Sequence, residues 1–328
     1  MKNNSFKEII KKIKAAKNIL ITLHTAPDGD SLGSCTAIKY VLERDFKCKV
    51  TLISHDPLDE TLQSLKIARE INFGKDVLDF NLKEFDILLA LDCSTPEMLG
   101  KRKSEFSFLK DIFIINIDHH KTNEYYGDLN YVDTNAPAVG SILIELFREE
   151  NIKFDKELAR RLIIGIYTDT NYLRIEKNIS RAFQDISFLL ENGADYYKDI
   201  LEPITLNKPL KMKKYVALLI DNLKINKEKR FAYNTLSMKQ IKELGLNVAE
   251  VRLGINEISD IKDIDFVFTL AETEEYIKGS FRSKENVDVS ILAEKLGGGG
   301  HKNAAAFRFD NISLEEAEKR VLDVIYNK

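Results

Sequence analysis

Four short stretches of the chain concentrate the side chains that bind metals: His24-Thr25-Ala26-Pro27-Asp28-Gly29-Asp30, Leu91-Asp92, Asp118-His119-His120 and Thr168-Asp169-Thr170. The chain has only five histidines; three fall in these stretches, and a fourth, His301, follows the four glycines Gly297 to Gly300. Imidazole and carboxylate groups drawn from separated segments suit a pair of divalent cations about 3.5 to 4 Å apart, the arrangement used for in-line displacement at phosphorus. The chemistry to expect is hydrolysis of a phosphoester.

Each stretch also has a plainer reading. Pro27 to Asp30 is a loop leading into a helix, with Asp30 or Ser31 as N-cap, and Asp92 can cap a following turn. What favours ligation is His24, four residues before Asp28 at the end of an apolar run, with Gly29 letting the loop turn tightly enough for Asp28 and Asp30 to face different metals. Adjacent histidines after Asn116-Ile117-Asp118 diverge at a strand end, so one can bind metal while the other meets substrate and Asp118 orients an imidazole; a surface pair is the alternative. Asp169, taken alone between Thr168 and Thr170, is an ordinary helix end. Gly297 to His301 reads as a flexible loop or helix C-terminus, or, followed by Ala304 to Ala306, as a place where backbone amides approach an anion. It is no P-loop, because Gly-Lys-Ser/Thr is absent. Arg282, in Ser280-Phe281-Arg282-Ser283, offers a planar fork to a phosphate or is simply an exposed strand arginine. His55 has no motif around it and reads as surface.

The elements that must position these residues are legible in outline. Asn18 to His24, Asp86 to Asp92 and Asp111 to Ile117 are apolar runs separated by helix-period segments such as Ser31 to Phe46, which predicts a parallel sheet with crossover helices. Ligands in such sheets gather beyond the carboxyl ends of the strands, where His24, Asp92 and Asp118 to His120 fall. Asp169 follows a helical pattern, Leu158 to Ile166, whose last turns must point back into the same site. A stretch with Pro203 and Pro209 and no sustained period suggests a connection over 191–212, between a first domain at 1–190 and a second at 213–328. In the second, Arg230 to Leu236, Asp265 to Ala271, Tyr276 to Phe281 and Ala304 to Phe309 read as strands, with helical patterns at Leu210 to Leu223, Met238 to Leu244, Val287 to Leu296 and Leu314 to Ile325. The fold class expected is α/β: a parallel-sheet domain followed by a smaller mixed α/β domain.

Composition narrows the partners. The chain has 328 residues and a formal charge of −3, without the basic stripe of a binder of long duplexes. Two divalent cations on four ligand aspartates would move the balance from −3 to about +1 and make the site attractive to phosphate. Cys35, Cys48 and Cys93 show no C-x-x-C pairing, which argues against structural zinc and disulfides and for a reducing cytoplasm. Phe6, Ile9, Ile10 and Ile13 make one helix stripe rather than a secretory signal, and no run approaches the roughly 20 apolar residues of a membrane span.

Taken in order, the four motifs plus the glycine-histidine motif resemble the DHH phosphoesterase family with its DHH-associated C-terminal domain, over nearly the whole chain and closest to the oligoribonuclease (nanoRNase) and pAp phosphatase branch. The resemblance implies one manganese on His24, Asp28, Asp92 and Asp169 and a second on Asp30, Asp92, His119 and Asp169, with Asp92 and Asp169 bridging. It implies His120 on the scissile phosphate, Asp118 behind it, and Arg282, Ser283, Gly298, Gly299, Gly300 and His301 as nucleotide contacts. The implied substrates are short single-stranded RNA, linear dinucleotides such as pApA, or 3',5'-adenosine bisphosphate, with no membrane partner and a possible homodimer. Two positions depart from the family pattern: Asn171 where glycine is usual after Thr-Asp-Thr, and Ala306 where glycine is usual after the glycine-histidine motif. Neither removes a ligand. Rival readings are an inorganic pyrophosphatase, a RecJ-type single-strand exonuclease and a catalytically dead nucleotide sensor.

Overall fold

The computed structural model describes residues 3–100, 110–174, 178–284 and 286–326. The chain divides into two compact units, Met1–Asn207 and Lys208–Lys328.

In the first unit, α1 (Phe6–Ala15) starts at Ser5, whose hydroxyl and the Glu8 carboxylate form a reciprocal capping box. Its stripe Phe6, Ile9, Ile10 and Ile13 is fully buried, a gross hydrophobic gain of about 6 to 12 kcal/mol. There follow β1 (Asn18–Thr22), α2 (Gly29–Arg44), β2 (Lys49–Ser54), α3 (Glu60–Gln63), β3 (Asn72–Phe73), β4 (Ile87–Leu91), β5 (Ile114–Asp118), β6 (Leu129–Val132), α4 (Val139–Glu149), α5 (Lys156–Asp169) and α6 (Ile179–Glu191). The six strands are all parallel in the order β3-β2-β1-β4-β5-β6. The chain leaves β1 in one direction to build β2 and β3 and in the other to build β4 to β6. The β1/β4 junction is therefore the switch point, beyond which such sheets bind their ligands.

Helices α2 and α5 approach closely because neither carries a side chain where they cross. A Cβ on Gly33 would stand 2.6 Å from the Arg161 carbonyl, and one on Gly165 would stand 2.6 Å from Asp30 Oδ1. Gly29 also serves this packing: it is the first residue of α2, and a Cβ there would overlap Thr168. Close contact with α5, rather than a tight turn, is what requires glycine at 29.

Most of the stretch 191–212, expected as a connection, is built into the first unit. Tyr196–Leu206 is a π-helix capped by Asp195, with Pro203 inside it and Ile200 and Ile204 in the main core. Its wider turn has no 3.6 period for a sequence pattern to reveal.

The second unit contains α7 (Leu210–Asp221), β7 (Lys224–Asn226), β8 (Phe231–Leu236), α8 (Met238–Glu243), α9 (Val248–Gly254), β9 (Phe266–Glu272), β10 (Tyr276–Ser283), α10 (Val289–Lys295), β11 (Gly299–His301), β12 (Ala304–Asp310) and α11 (Leu314–Tyr326). Its mixed sheet runs β11-β12-β10-β9-β8-β7, parallel only between β8 and β9. Separate cores cover its two faces, one around Phe268 and Val321 and one around Tyr215 and Ile255. Among the described residues no helix is long and apolar enough to cross a membrane.

Candidate metal centre and anion-binding strands

Asp92 follows β4 directly, in a left-handed backbone conformation with φ 59°, and its carboxylate is buried. Three imidazoles converge on it: His24 Nε2 lies 3.4 Å from Oδ2, while His119 Nε2 and His120 Nδ1 lie 3.5 and 3.4 Å from Oδ1. Yet Asp92 Oδ1 makes no hydrogen bond. A buried carboxylate oxygen left so is costly unless a cation completes it.

The remaining ligand candidates lie on either side of Asp92. His24, just past β1, also faces Asp28 Oδ1 at 3.4 Å, and Asp28 caps α2 by accepting from Ser31 N. The N-cap is thus Asp28 rather than Asp30 or Ser31. Asp30, the second residue of α2 and fully buried, accepts from the Val139 and Gly140 amides at 2.6 and 3.2 Å, so the start of α4 holds its carboxylate. Asp169, the last residue of α5, brings Oδ2 to 3.4 Å from His119 Nε2. The last turn of α5 does point into the site. Three sets of potential ligand atoms result, each within 4.8 Å of one another: His24, Asp28 and Asp92; Asp30, His119 and Asp169; Asp92, His119 and His120.

Ring orientation suits ligation. His24 Nδ1 is 2.9 Å from the Thr25 carbonyl and His119 Nδ1 is 3.1 Å from that of Ala136, so each carries its proton there and turns Nε2 to the carboxylates. His120 is held differently, by Asp118 Oδ1 at 2.8 Å from Nδ1, while Asn123 Nδ2 donates to Asp118 Oδ2 at 2.6 Å. Asn123 also donates to Asn116 Oδ1. Sequence reading missed Asn123, which has no motif of its own.

Electrostatics agree with a site short of positive charge. Burial raises the Asp30 carboxyl well above its ordinary range, and Asp92 and Asp169 add to that. Asp169 rises to about 6, first through burial and then through Asp92 and Asp28. Burial would lower His119, but Asp169, Asp92 and Asp30 outweigh it and hold the imidazole at about 10. Without cations the cluster must retain protons; two divalent ions would take their place.

In the second unit, Arg282 on β10 pairs with Ala304 on β12, which pairs with His301 on β11, so Arg282 and His301 share one row of the sheet. The His301 side chain lies outside the described part of the structure. Arg282 Nε donates to Asn256 Oδ1 at 2.8 Å and Nη1 to the Phe281 carbonyl at 2.9 Å, both neutral acceptors. Burial and the neighbouring Arg252 guanidinium bring its pKa down to about 10. It is not a freely exposed strand arginine. Ser283, also expected at the nucleotide, spends its hydroxyl on the Val287 and Lys302 carbonyls. The glycine run is neither flexible loop nor plain helix end: Gly297 turns the chain out of α10 with φ 78°, and 299–301 is a strand. A Cβ on Gly298 or Gly300 would strike the Ala306 or Ala304 carbonyl, whereas around Gly299 there is open space.

The sequence matches the DHH family, N-terminal domain, over residues 18–166 and the DHHA1 domain over residues 228–327. The chain belongs to the DHH phosphoesterase family. A probable bifunctional oligoribonuclease and PAP phosphatase NrnA from Streptococcus mutans is 28% identical over 317 residues, covering 96% of each chain. A bifunctional oligoribonuclease and PAP phosphatase NrnA from Thermus thermophilus is 27% identical, covering 97% of this chain and 91% of its own. Among solved structures, an exopolyphosphatase-related protein from Bacteroides fragilis superposes with a TM-score of 0.86 at 23% identity, over 98% of this chain and 95% of that one. This likeness establishes the fold.

Proposed function

We propose that the first unit holds two divalent cations, best suited by manganese, and that this DHH protein hydrolyses short oligoribonucleotides, linear dinucleotides such as pApA, and 3',5'-adenosine bisphosphate. The observation that carries the reading is Asp92, a buried carboxylate with an unbonded Oδ1 and three imidazoles within 3.5 Å. His24 and Asp28 would complete one cation site and Asp30 and His119 the other, with Asp92 and Asp169 shared. Four carboxylates with two imidazoles suit a borderline-hard ion better than a thiolate-seeking one. Such a pair of ions, when bound, lowers the pKa of water to yield a nucleophile and neutralises charge on the phosphoryl oxygens.

The chain's own residues do the rest. Asp118, held by Asn123, fixes the His120 ring through Nδ1, and His120 would face a phosphoryl oxygen of the substrate. Arg282 and the β11 backbone from Gly298 to His301 take the nucleotide; Gly299, whose missing side chain no fold contact demands, is where a ligand approaches the backbone. The relatives named for oligoribonuclease and PAP phosphatase activity match along nearly their whole length, which supports the same substrates here. The three cysteines, buried and free, suit a reducing cytoplasm.

One assay tests this. Protein stripped with a chelator and then reloaded with manganese, magnesium or zinc is offered pApA, adenosine bisphosphate, RNAs of graded length and pyrophosphate. The expected result is cleavage of the short nucleotides, lost on stripping and restored best by manganese. Undiminished rates after stripping, or turnover of pyrophosphate alone, would overturn the proposal.

A further inference from the structure

The first unit has a second concave surface that shares no residue with the metal cluster. A cavity of about 590 Å³ opens between α5, the loop after α3 and the π-helix, in the size range of small-ligand sites. Lys66, Arg160 and Lys198 line it against Asp199 and Glu202, an excess of one positive charge. Arg160 donates from Nη1 to Glu157, but its Nε is buried with no hydrogen bond, and Asp199 Oδ1 stands 4.0 Å away. Arg160 thus brings a guanidinium to the cavity wall between two carboxylates with one N–H unbonded, a charge that an anion in the cavity would share. The wall also carries Tyr197, half of it exposed.

Beside this surface a tyrosine cluster packs on α5, in which Tyr167 is buried and Tyr196 exposed. Arg160, Ile164 and Tyr167 recur at helical spacing on one face of the helix, and Ile164 lines the cavity. The Tyr167 ring lies 5.4 Å from that of Tyr172 and 6.3 Å from that of Tyr196, and Tyr196 is 42% exposed. The helix that ends in Asp169 thus leads back from the metal centre past a tyrosine cluster to a cationic cavity. From Asp169 to Arg160 its axis covers about 13 Å, or about four steps of a stacked strand at 3.4 Å each. Aromatic faces alternating with cations are how proteins hold single strands without reading their sequence.

We propose that this surface of the first unit is a tail-binding track: it takes the nucleotides of a short RNA that are not engaged at the metal centre, Arg160 and Lys66 on a phosphate and Tyr196 and Tyr197 on bases. The inference rests on the proposed oligoribonuclease reading and adds a device that sets length preference. The same chemistry would accept a free mononucleotide, and the experiment separates the two.

The measurement is kcat/KM on a dinucleotide and on a pentanucleotide RNA, for wild type, Arg160→Ala, Tyr196→Ala and Glu202→Lys. Arg160→Ala and Tyr196→Ala should keep the dinucleotide rate, which also reports an intact fold, and lose about tenfold on the pentamer, the scale of one base stack or phosphate contact. Glu202→Lys should improve the pentamer alone, an effect that misfolding cannot mimic. Equal losses on both RNAs, or pentamer rates unchanged in all three variants, would overturn the track. Adenosine 5'-monophosphate should inhibit dinucleotide cleavage equally in wild type and Arg160→Ala; if it acts on wild type alone, the cavity is a site for a free nucleotide and the tail assignment falls. A wild type inactive on both RNAs defeats the oligoribonuclease reading itself, and the track with it.

Discussion

The two candidate sites enclose charge in opposite senses. Around Asp92 the first unit collects buried Asp30, Asp92 and Asp118 with partly buried Asp169, facing imidazoles that are neutral unless the carboxylates hold protons on them. On β10 the enclosed charge is Arg282, which donates to the neutral Asn256 Oδ1 and Phe281 carbonyl and whose neighbour Arg252 is another cation. Burying an uncompensated charge costs several kcal/mol, so neither arrangement is one that stability alone would favour. The first lacks cations and the second lacks an anion. Under the proposed function, divalent cations would meet the first deficit and a phosphate group the second.

The sharpest way to break this comparison is at Asp92. Asp92→Ala removes the carboxylate that both proposed ion sites share, so bound manganese should fall from two equivalents toward none, and turnover should drop beyond the roughly hundredfold seen when an outer partner of a metal ligand is removed. Circular dichroism should show the fold retained, since Asp92 Oδ1 bonds nothing in the protein. Two tightly bound equivalents in the variant would end the bridging assignment.

Next in size is the opposite unit. Arg282→Ala and His301→Ala should leave manganese content untouched while lowering kcat/KM on a dinucleotide by about ten- to a hundredfold, the loss of a hydrogen bond to a charged phosphate. A small generic phosphodiester, too short to need the β11 strand, should be cleaved nearly as before. Equal losses on both substrates would show that these residues act on the centre itself rather than on the nucleotide.

A smaller effect separates packing from ligation within the first unit. Gly33→Ala and Gly165→Ala both wedge α2 and α5 apart, and each should cost about 1 to 3 kcal/mol of stability, read by denaturant titration. Only the Gly165 methyl would press on Asp30 Oδ1, 2.6 Å from the built Cβ, so only that variant should also weaken manganese binding. If both weaken it alike, helix spacing rather than direct contact positions Asp30.

These contrasts also explain what could be read from sequence. The candidate ligands His24, Asp92 and His119 stood out because each closely follows an apolar run, and β1, β4 and β5 are such runs. The edge strands β3 and β6, and β2 beside β3, escaped notice: Lys49–Ser54 is half polar, Asn72–Phe73 is two residues long, and Leu129–Val132 alternates. Asn123 reaches Asp118 from five residues on with no motif of its own, and the Val139 and Gly140 amides act on Asp30 from 109 and 110 residues along the chain, which no local pattern announces. The glycine run misled in the other direction, since four glycines suggest mobility while three of them, Gly297, Gly298 and Gly300, are demanded by a turn and by close backbone contact in a sheet.

Backbone strain also differs beside the two candidate sites, and it yields the smallest prediction. The second unit gives left-handed positions beside its Arg282 row to glycine, at Gly297 and Gly300, with φ 78° and 146°. The first unit instead places Asn171, Tyr172 and Leu173 consecutively at φ 47°, 61° and 63°, directly after Asp169 and Thr170. A residue with a Cβ pays about 1 to 2 kcal/mol there, and asparagine somewhat less because its side chain tolerates this region. Asn171→Gly should therefore relieve less than about 1 kcal/mol, part of it offset by the greater freedom of glycine in the unfolded chain. The expected outcome is a Tm raised by a few degrees at most, with metal content and kcat unchanged, because the Asn171 amide still donates to the Thr168 carbonyl and keeps the end of α5 in place. A lower kcat with normal stability would show that the strained turn itself sets the position of Asp169, and strain in this unit would then belong to the metal centre rather than merely lie beside it.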